Sequence, residues 1–249
     1  MKRISLIALP LAAIMSVSGC KSMDVNSLTN LGMESLQVMT LGDSDIKTLS
    51  DKSCAQMDAQ SKVAPQNSAY SQRLDKIANV LGRDLNGTPI NYKVYLTSDV
   101  NAWAMANGCV RVYSGLMDIM TDNEIEGVLG HELGHVALGH TKKAMQVAYA
   151  AQIARDAASA SGIAAVTALS KSELGDLAEK VVNSQFSQSQ EKAADNYSFD
   201  FLVKKNINPL GLATAFDKLG GGNASILSSH PSSSERAQNI RNKIAALKQ

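Results

Sequence analysis

Aromatic residues and cysteines are scarce in this chain of 249 residues: Phe, Trp and Tyr together make up 4% of it, and Cys occurs three times. An excess of either charge is also lacking, because 24 Lys and Arg face 23 Asp and Glu, so there is no electrostatic footprint for nucleic acid. We find no internal repeat and no phosphate-binding glycine loop. Few aromatics and abundant Ala, Leu and Ser favour packed helices, and the length suffices for one sizeable core. The predicted fold class is mainly α with a small β-sheet (α+β).

Long hydrophobic runs are missing as well. The apolar stretch Ile4–Val17 falls short of the roughly 20 residues that a membrane-spanning helix needs. Because Lys2 and Arg3 precede it, it predicts a secretory signal peptide. The uncharged stretch Ala157–Ser170 is also too short, and two packed soluble helices or a membrane-facing surface both remain open there.

A cysteine closes the signal segment. Val17-Ser18-Gly19-Cys20 resembles the lipobox of bacterial lipoproteins, which implies cleavage before Cys20 and lipid on that residue. The alternative is an ordinary secretory signal with a chance cysteine. Lys21 follows where Asp would resemble an inner-membrane retention signal, so we expect the periplasmic face of the outer membrane. The expected divisions are a signal peptide over residues 1–19, an N-terminal tether and helix over 20–64, and the main domain over 65–249.

The two other cysteines, Cys54 and Cys109, agree with export. In an oxidising compartment they can form one disulfide, which closes a loop of about 55 residues and stabilises the fold by a few kcal/mol. The alternative is two separate buried thiols. We favour the disulfide.

The most informative stretch is Thr121–His140, TDNEIEGVLGHELGHVALGH, which reads as a buried helix that begins with a capping box. His131 and His135 are four residues apart on one face, so both imidazoles can reach one cation. Glu132 points beside that cation, where a general base for an activated water belongs. The alternative is a buried helix with hydrogen-bonded core histidines. His140 falls about 140° around the helix from His135, so we expect it near the helix C-terminus, facing the helix dipole and not sharing the cation.

A third ligand has to come from elsewhere in the chain. Glu191 and Asp195 are four apart in a helical segment, and two stacked acids require a positive charge opposite them. A metal-bound Glu191, with Asp195 accepting the N–H of a ligand histidine, meets that requirement. A solvated acidic face is the alternative.

The convincing strands come just before the histidine helix. Residues 92–97 alternate apolar Tyr92, Val94 and Leu96 with Lys93, Tyr95 and Thr97. The segment that begins Asn101-Ala102-Trp103-Ala104 then leads into Cys109–Tyr113. An exposed edge there can pair with an extended peptide through main-chain hydrogen bonds. A purely structural hairpin over the core is equally open.

Taken together, the motifs resemble the gluzincin metallopeptidases that include HtpX, the CAAX prenyl proteases and the periplasmic protease BepA. Joined to a lipobox, one such domain looks most like the lipoprotein members of that group. The motifs are Asn101-Ala102-Trp103-Ala104, Gly115-Leu116, His131-Glu132-Leu133-Gly134-His135, Glu191-Lys192-Ala193-Ala194-Asp195 and His230-Pro231-Ser232-Ser233-Ser234-Glu235-Arg236.

The resemblance implies a zincin-like metalloprotease domain that binds one zinc ion per chain. It implies His131, His135 and Glu191 as the ligands, Glu132 as general base and acid, and Asp195 behind a ligand histidine.

For the substrate side, the resemblance implies Asn101, Ala102, Trp103 and Ala104 as the rim of the groove. His230 resembles the histidine of a loop that either blocks the open zinc position or steadies the oxyanion. Arg236 is the other candidate donor to the oxyanion.

The expected function is therefore that of a lipid-anchored zinc endopeptidase acting on unfolded or misassembled envelope proteins, with other envelope proteases or assembly machinery as possible partners. One alternative is a non-catalytic or self-inhibited zinc-binding lipoprotein that acts as a chaperone or assembly factor. Another is a different zinc hydrolase, such as a cell-wall amidase.

Overall fold

The computed structural model describes residues 41–159, 169–220, 225–230 and 234–247. Helices dominate and the strands form two small sheets, so the predicted α+β fold class is confirmed. The helices are α1 Asp43–Gln60, α2 Ala69–Leu81, α3 Ser114–Ile119, α4 Asp122–Ala137, α5 His140–Ser159, α6 Lys171–Val182, α7 Gln188–Lys204, α8 Leu210–Gly220, α9 Ile226–Ser229 and α10 Ser234–Ala246. The strands are β1 Asp84–Leu85, β2 Thr88–Pro89, β3 Asn91–Tyr95, β4 Ala102–Ala104 and β5 Cys109–Tyr113.

Several expectations concern residues beyond this description. The described residues begin at 41, so the signal peptide, Cys20 with its lipobox and the part of the tether before residue 41 lie outside them. The predicted domain boundaries stay predictions. The same is true of residues 160–168 in the uncharged stretch that follows α5. Among the described helices, none has the length and apolarity that crossing a bilayer requires.

The larger sheet has the strand order β3-β5-β4. β3 runs parallel to β5, and β4 pairs antiparallel with the other side of β5, so β4 lies at an edge of the sheet, but its residues are buried and not exposed. The two short strands β1 and β2 form the smaller sheet, which the sequence did not predict. Asn86 and Gly87 join them with φ angles of 53° and 86°, as a two-residue hairpin turn requires.

Helix α1 is fastened to this sheet in two ways. Cys54 in α1 and Cys109 in β5 form a disulfide with a Cα–Cα distance of 6.5 Å, which confirms the predicted pairing. One turn later, Asp58 accepts hydrogen bonds from Arg111 at 2.7 and 2.9 Å and from Lys93 at 2.7 Å. Arg111 is only 1% exposed, so the carboxylate of Asp58 is needed as the counter-ion of its buried guanidinium.

The Asp58→Asn variant should lose about 3 kcal/mol of unfolding free energy at pH 7, because it leaves Arg111 buried without a counter-ion. Burial alone would raise the pKa of Asp58, but hydrogen bonds from Arg111 and Lys93 lower it overall. The stabilisation is therefore present above the unfolded-state pKa of about 3.9, and it disappears as the pH falls through the lower folded-state pKa. Urea unfolding from pH 7 to pH 2 measures this. Asp75→Asn, whose pair with Arg83 is half exposed, should cost less than about 1 kcal/mol, and equal losses would contradict the argument.

Helix α4 begins where the sequence predicted it and ends earlier. The Thr121 hydroxyl caps the backbone N–H of Glu124, and the Glu124 carboxylate accepts the N–H of Thr121, which completes the predicted capping box. The helix stops at Ala137 because Gly139 adopts a φ of 74°, a conformation that ends helices. His140 therefore opens α5 instead of lying at the C-terminus of α4, which corrects its predicted position.

Gly127 and Gly134 lie on one side of α4, where the missing Cβ atoms let α8 and α7 approach its backbone. A Cβ at Gly127 would lie 2.6 Å from the Cα of Leu212 in α8. Two turns later, a Cβ at Gly134 would lie 3.0 Å from the carbonyl oxygen of Ala194 in α7. Glu191 precedes Ala194 by about one turn, so this close contact brings its carboxylate up to the histidines of α4.

Gly127→Ala should destabilise the protein by about 1–3 kcal/mol, because the new methyl group meets backbone atoms that cannot rotate away. Gly175→Ala in α6 is the matched control. Its Cβ would first meet the flexible side chain of Gln60 at 3.2 Å, so the change should be neutral or gain up to about 1 kcal/mol of helix propensity. Chemical unfolding of both variants measures the difference, and a stable Gly127→Ala protein would contradict the close approach of α8.

Candidate metal centre

The histidine pair of α4 and the first acid of α7 meet in the interior. His131 Nε2 lies 3.0 Å from His135 Nε2. Glu191 places Oε1 3.2 Å from His135 Nε2 and Oε2 3.5 Å from His131 Nε2. All three side chains are buried. The three residues predicted as ligands are thus brought together from two helices, α4 and α7, that are distant in the sequence.

His230, the residue after α9, is a fourth member of this group. Its Nδ1 lies 3.0 Å from Glu191 Oε1 and 3.2 Å from His131 Nε2, and the side chain is buried. The backbone N–H of Ile226 donates to the carbonyl of Val100, which ties α9 to the residues before β4. One ligand atom from each of the four residues lies within 4.8 Å of the others.

The separations given above, which include both oxygens of Glu191, run from 3.0 to 3.5 Å. Ligand atoms of one zinc ion, bound at about 2.0–2.1 Å, lie about 3.3 Å apart, so the group is compact enough to hold a single cation. Charge gives the same answer. Three buried carboxylates, those of Glu132, Glu191 and Asp195, meet one guanidinium, that of Arg236, among the described residues, so acidic groups are in surplus here. A divalent cation relieves both the converging lone pairs and this surplus.

Glu132 lies beside the group without belonging to it, as the one-residue offset from His131 predicted. Its Oε1 is 3.5 Å from His230 Nε2 and has no hydrogen-bond partner in the described part of the chain. Burial raises the pKa of Glu132 above its ordinary value. A buried carboxylate with unused acceptor capacity beside a metal site is suited to take a proton from water.

Asp195 and Arg236 form a layer behind the ligands. Asp195 Oδ1 lies 2.9 Å from His131 Nδ1, so it accepts that N–H as predicted. Arg236 donates to Asp195 at 2.6 and 2.8 Å, and it pairs with Glu191 Oε2 at 2.7 Å. Burial alone would raise the pKa of Asp195, but hydrogen bonds from Arg236 and His131 lower it. Arg236 is the positive charge that the two stacked acids required, and the oxyanion role considered for it stays a prediction.

Sequence reasoning missed two contacts of His135. The ring of Phe186 stacks on the His135 ring with 3.9 Å between centroids. His140 Nδ1 lies 3.0 Å from His135 Nδ1, so His140 faces the imidazole, not the helix dipole that the sequence suggested. Phe186 immediately precedes Ser187, the N-cap of α7, and no sequence signal marks a residue at that place as a partner of α4.

The predicted substrate rim lies next to α4. Asn101, Ala102, Trp103 and Ala104 are all buried, and β4 packs against α4 across the sheet's edge. The Asn101 carbonyl accepts the backbone N–H of Tyr113, and the Asn101 side chain accepts the N–H of Ala102. These two hydrogen bonds hold the backbone where β4 begins. The geometry leaves the outer side of β4 unpaired by any described strand, and its use by substrate stays a prediction.

Comparisons with known proteins agree with this chemistry. The family model described as peptidase family M48 matches residues 65–244. The chain is 55% identical to metalloprotease LoiP of Escherichia coli (strain K12), over 98% of this chain and 97% of the relative. It is 53% identical to metalloprotease YcaL of the same organism, over 92% of this chain and 93% of the relative. A weaker match, 24% identical over 53% of this chain and 28% of the relative, is a putative beta-barrel assembly-enhancing protease of Vibrio cholerae.

Proposed function

The chain belongs to peptidase family M48, and we propose that it is a zinc endopeptidase, lipid-anchored through Cys20, that cleaves unfolded or misassembled envelope proteins. That it is a metalloendopeptidase follows from the family and from relatives aligned over nearly its whole length. The zinc, the anchor and the substrate class are the proposal. The observation that carries it is the buried group of three histidines and one glutamate, with the unpartnered carboxylate of Glu132 beside it.

The donor set favours zinc over the other common cations. A donor set of imidazole nitrogens and one carboxylate oxygen is typical of zinc. Magnesium and calcium take six or more ligands, nearly all of them oxygen. We expect one zinc per chain.

The side chains of the centre have different roles in hydrolysis. Zinc supplies Lewis acidity, which lowers the pKa of water towards about 7 and polarises the scissile carbonyl. Glu132 takes the proton of the attacking water and returns it to the leaving amine. Asp195 holds the Nδ1–H of His131, so that the other ring nitrogen faces the metal.

Two features, β4 and the lipobox, support the proposed substrate class. An edge strand binds an extended chain through main-chain hydrogen bonds, which suits unfolded proteins of varied sequence. The motif that ends at Cys20 supports a lipid anchor, and Lys21, in place of an Asp that would signal inner-membrane retention, favours the periplasmic face of the outer membrane. The name of the Vibrio cholerae relative refers to β-barrel assembly, and we extend an envelope role to this chain by analogy only. Other envelope proteases or assembly machinery are the partners to look for.

Two experiments on the full chain test these parts. Purified, zinc-loaded protein should cut a reduced and unfolded protein but not its folded form, and a chelator should stop the reaction until zinc is restored. In cells, a fatty-acid label should be incorporated into the wild-type protein and not into the Cys20→Ser protein. Equal cleavage of the folded form would contradict the substrate class, and a wild-type protein that takes up no fatty-acid label would contradict the lipid anchor.

One observation favours a second candidate, a self-inhibited or non-catalytic zinc lipoprotein. His230 Nδ1 stands among the predicted ligands, and a zinc with four protein ligands is typical of structural sites, whereas catalytic sites keep a position open. If His230 closes the centre, the chain is active only when this residue moves away.

The His230→Ala variant separates these cases. We expect cleavage to rise about tenfold, as removal of a closed state favoured by about 1.4 kcal/mol would give. Initial rates on one unfolded substrate at matched zinc content measure the effect. A fall of about a hundredfold would instead assign His230 to the oxyanion, and unchanged, negligible cleavage in both proteins would favour the non-catalytic candidate.

A further inference from the structure

The two histidines of α4 differ in what holds their outward-facing nitrogens. Each turns Nε2 towards the ligand group, so each must carry its proton on Nδ1 when a metal is bound. His131 donates that proton to the carboxylate of Asp195 at 2.9 Å. His135 Nδ1 is 3.0 Å from His140 Nδ1, so an imidazole stands where a carboxylate serves the other ligand.

This contact determines a tautomer. Since His135 donates from Nδ1, His140 Nδ1 has to accept, and its own proton must lie on Nε2. His140 therefore acts as a neutral acceptor. A neutral acceptor fits this place because Arg236 and a divalent cation together balance the three buried carboxylates, and a fourth anion would leave one negative charge uncompensated.

The turn between α4 and α5 places His140 beside His135. α4 ends at Ala137, Gly139 turns the chain with a φ of 74°, and His140 becomes the first residue of α5. The ring of Phe186 covers the face of His135 at 3.9 Å. The stack and the hydrogen bond together restrict both the tilt and the rotation of the His135 ring.

We infer that His140 is a positioning residue: by accepting the Nδ1–H of His135, it holds that imidazole in the tautomer and orientation that metal binding needs. The inference rests on the proposed metal function. It goes beyond that function because none of the ligand motifs gives a role to the residue that contacts Nδ1 of His135.

Zinc affinity of the full chain, measured by competition with a chelator of known affinity, tests this. His140→Ala should weaken zinc binding by about 10- to 100-fold, the usual effect of removing such a partner. His140→Asn should stay within about threefold of wild type, because Asn Oδ1 branches from Cγ as Nδ1 does and is a neutral acceptor. Lys143→Ala, an exposed change in the same turn of α5, should have no effect.

Two further readouts separate positioning from simple packing. Thermal unfolding of the metal-free proteins should differ little between His140→Ala and His140→Asn, although their zinc affinities differ. Imidazole nitrogen NMR of the zinc-loaded wild type should show His140 protonated on Nε2. Unchanged affinity in His140→Ala, or equal loss in both variants, would overturn the inference while leaving the metal site intact. A wild-type chain that binds no zinc would instead defeat the proposed function.

Discussion

Glu132→Gln should lower kcat/KM on an unfolded protein by about 10²- to 10⁴-fold, the usual contribution of a general base, while zinc stays bound. Glutamine fills the same volume and keeps an acceptor oxygen, but it cannot take a proton from water. The zinc affinity should hold because Glu132 stands outside the four-residue group. Initial rates and metal content, measured on the same preparations, give both quantities.

Stability supplies the control for this variant. Glu132 is 3% exposed, and its Oε1 has no hydrogen-bond partner in the described part of the chain, so its charge is costly in the metal-free protein. Glu132→Gln should therefore unfold at the same temperature as the wild type or a higher one. A loss of activity that came with a lower melting temperature would point to misfolding. Cleavage within tenfold of wild type would contradict the role of Glu132.

Removal of Glu191 should have the second large effect, on the metal itself. Glu191→Ala takes away the carboxylate that contacts His135 and His230, and we expect zinc affinity to fall by more than 100-fold, beyond the effect of losing an outer-shell partner. It also leaves Arg236 with Asp195 as its remaining carboxylate in direct contact, so some loss of stability should accompany it.

Metal content per chain after dialysis, with dissociation constants from chelator competition, measures this loss. Glu179→Ala in α6 is the matched control, since Glu179 is exposed and lies outside the buried group. That variant should keep one zinc per chain. A Glu191→Ala protein that binds zinc as tightly as wild type would remove the third ligand from the account.

The parts of the centre that follow from local periodicity could be predicted from sequence. Helical spacing alone places His131 with His135, and Glu191 with Asp195. Electrostatics then required a positive charge near the two acids, and Arg236 is found there. The capping box that begins α4 could also be predicted, because it consists of four adjacent residues.

What the sequence did not reveal depends on how separate elements pack. The stack of Phe186 on His135 joins the residue before the cap of α7 to α4, and nothing periodic links the two. His140 was assigned to the end of α4 because the positive φ of Gly139 could not be foreseen from helical spacing. The close approach of α7 depends on Gly134, whose missing Cβ has meaning only beside Ala194.

The central claim is that one cation sits where α4, α7 and the residue after α9 converge, and anomalous diffraction at the zinc edge tests it most directly. Crystals of the zinc-loaded protein should give a single strong peak about 2.0–2.1 Å from Nε2 of His131, Nε2 of His135 and a carboxylate oxygen of Glu191. A peak at any other place in the chain, or a metal bound without Glu191, would contradict the account.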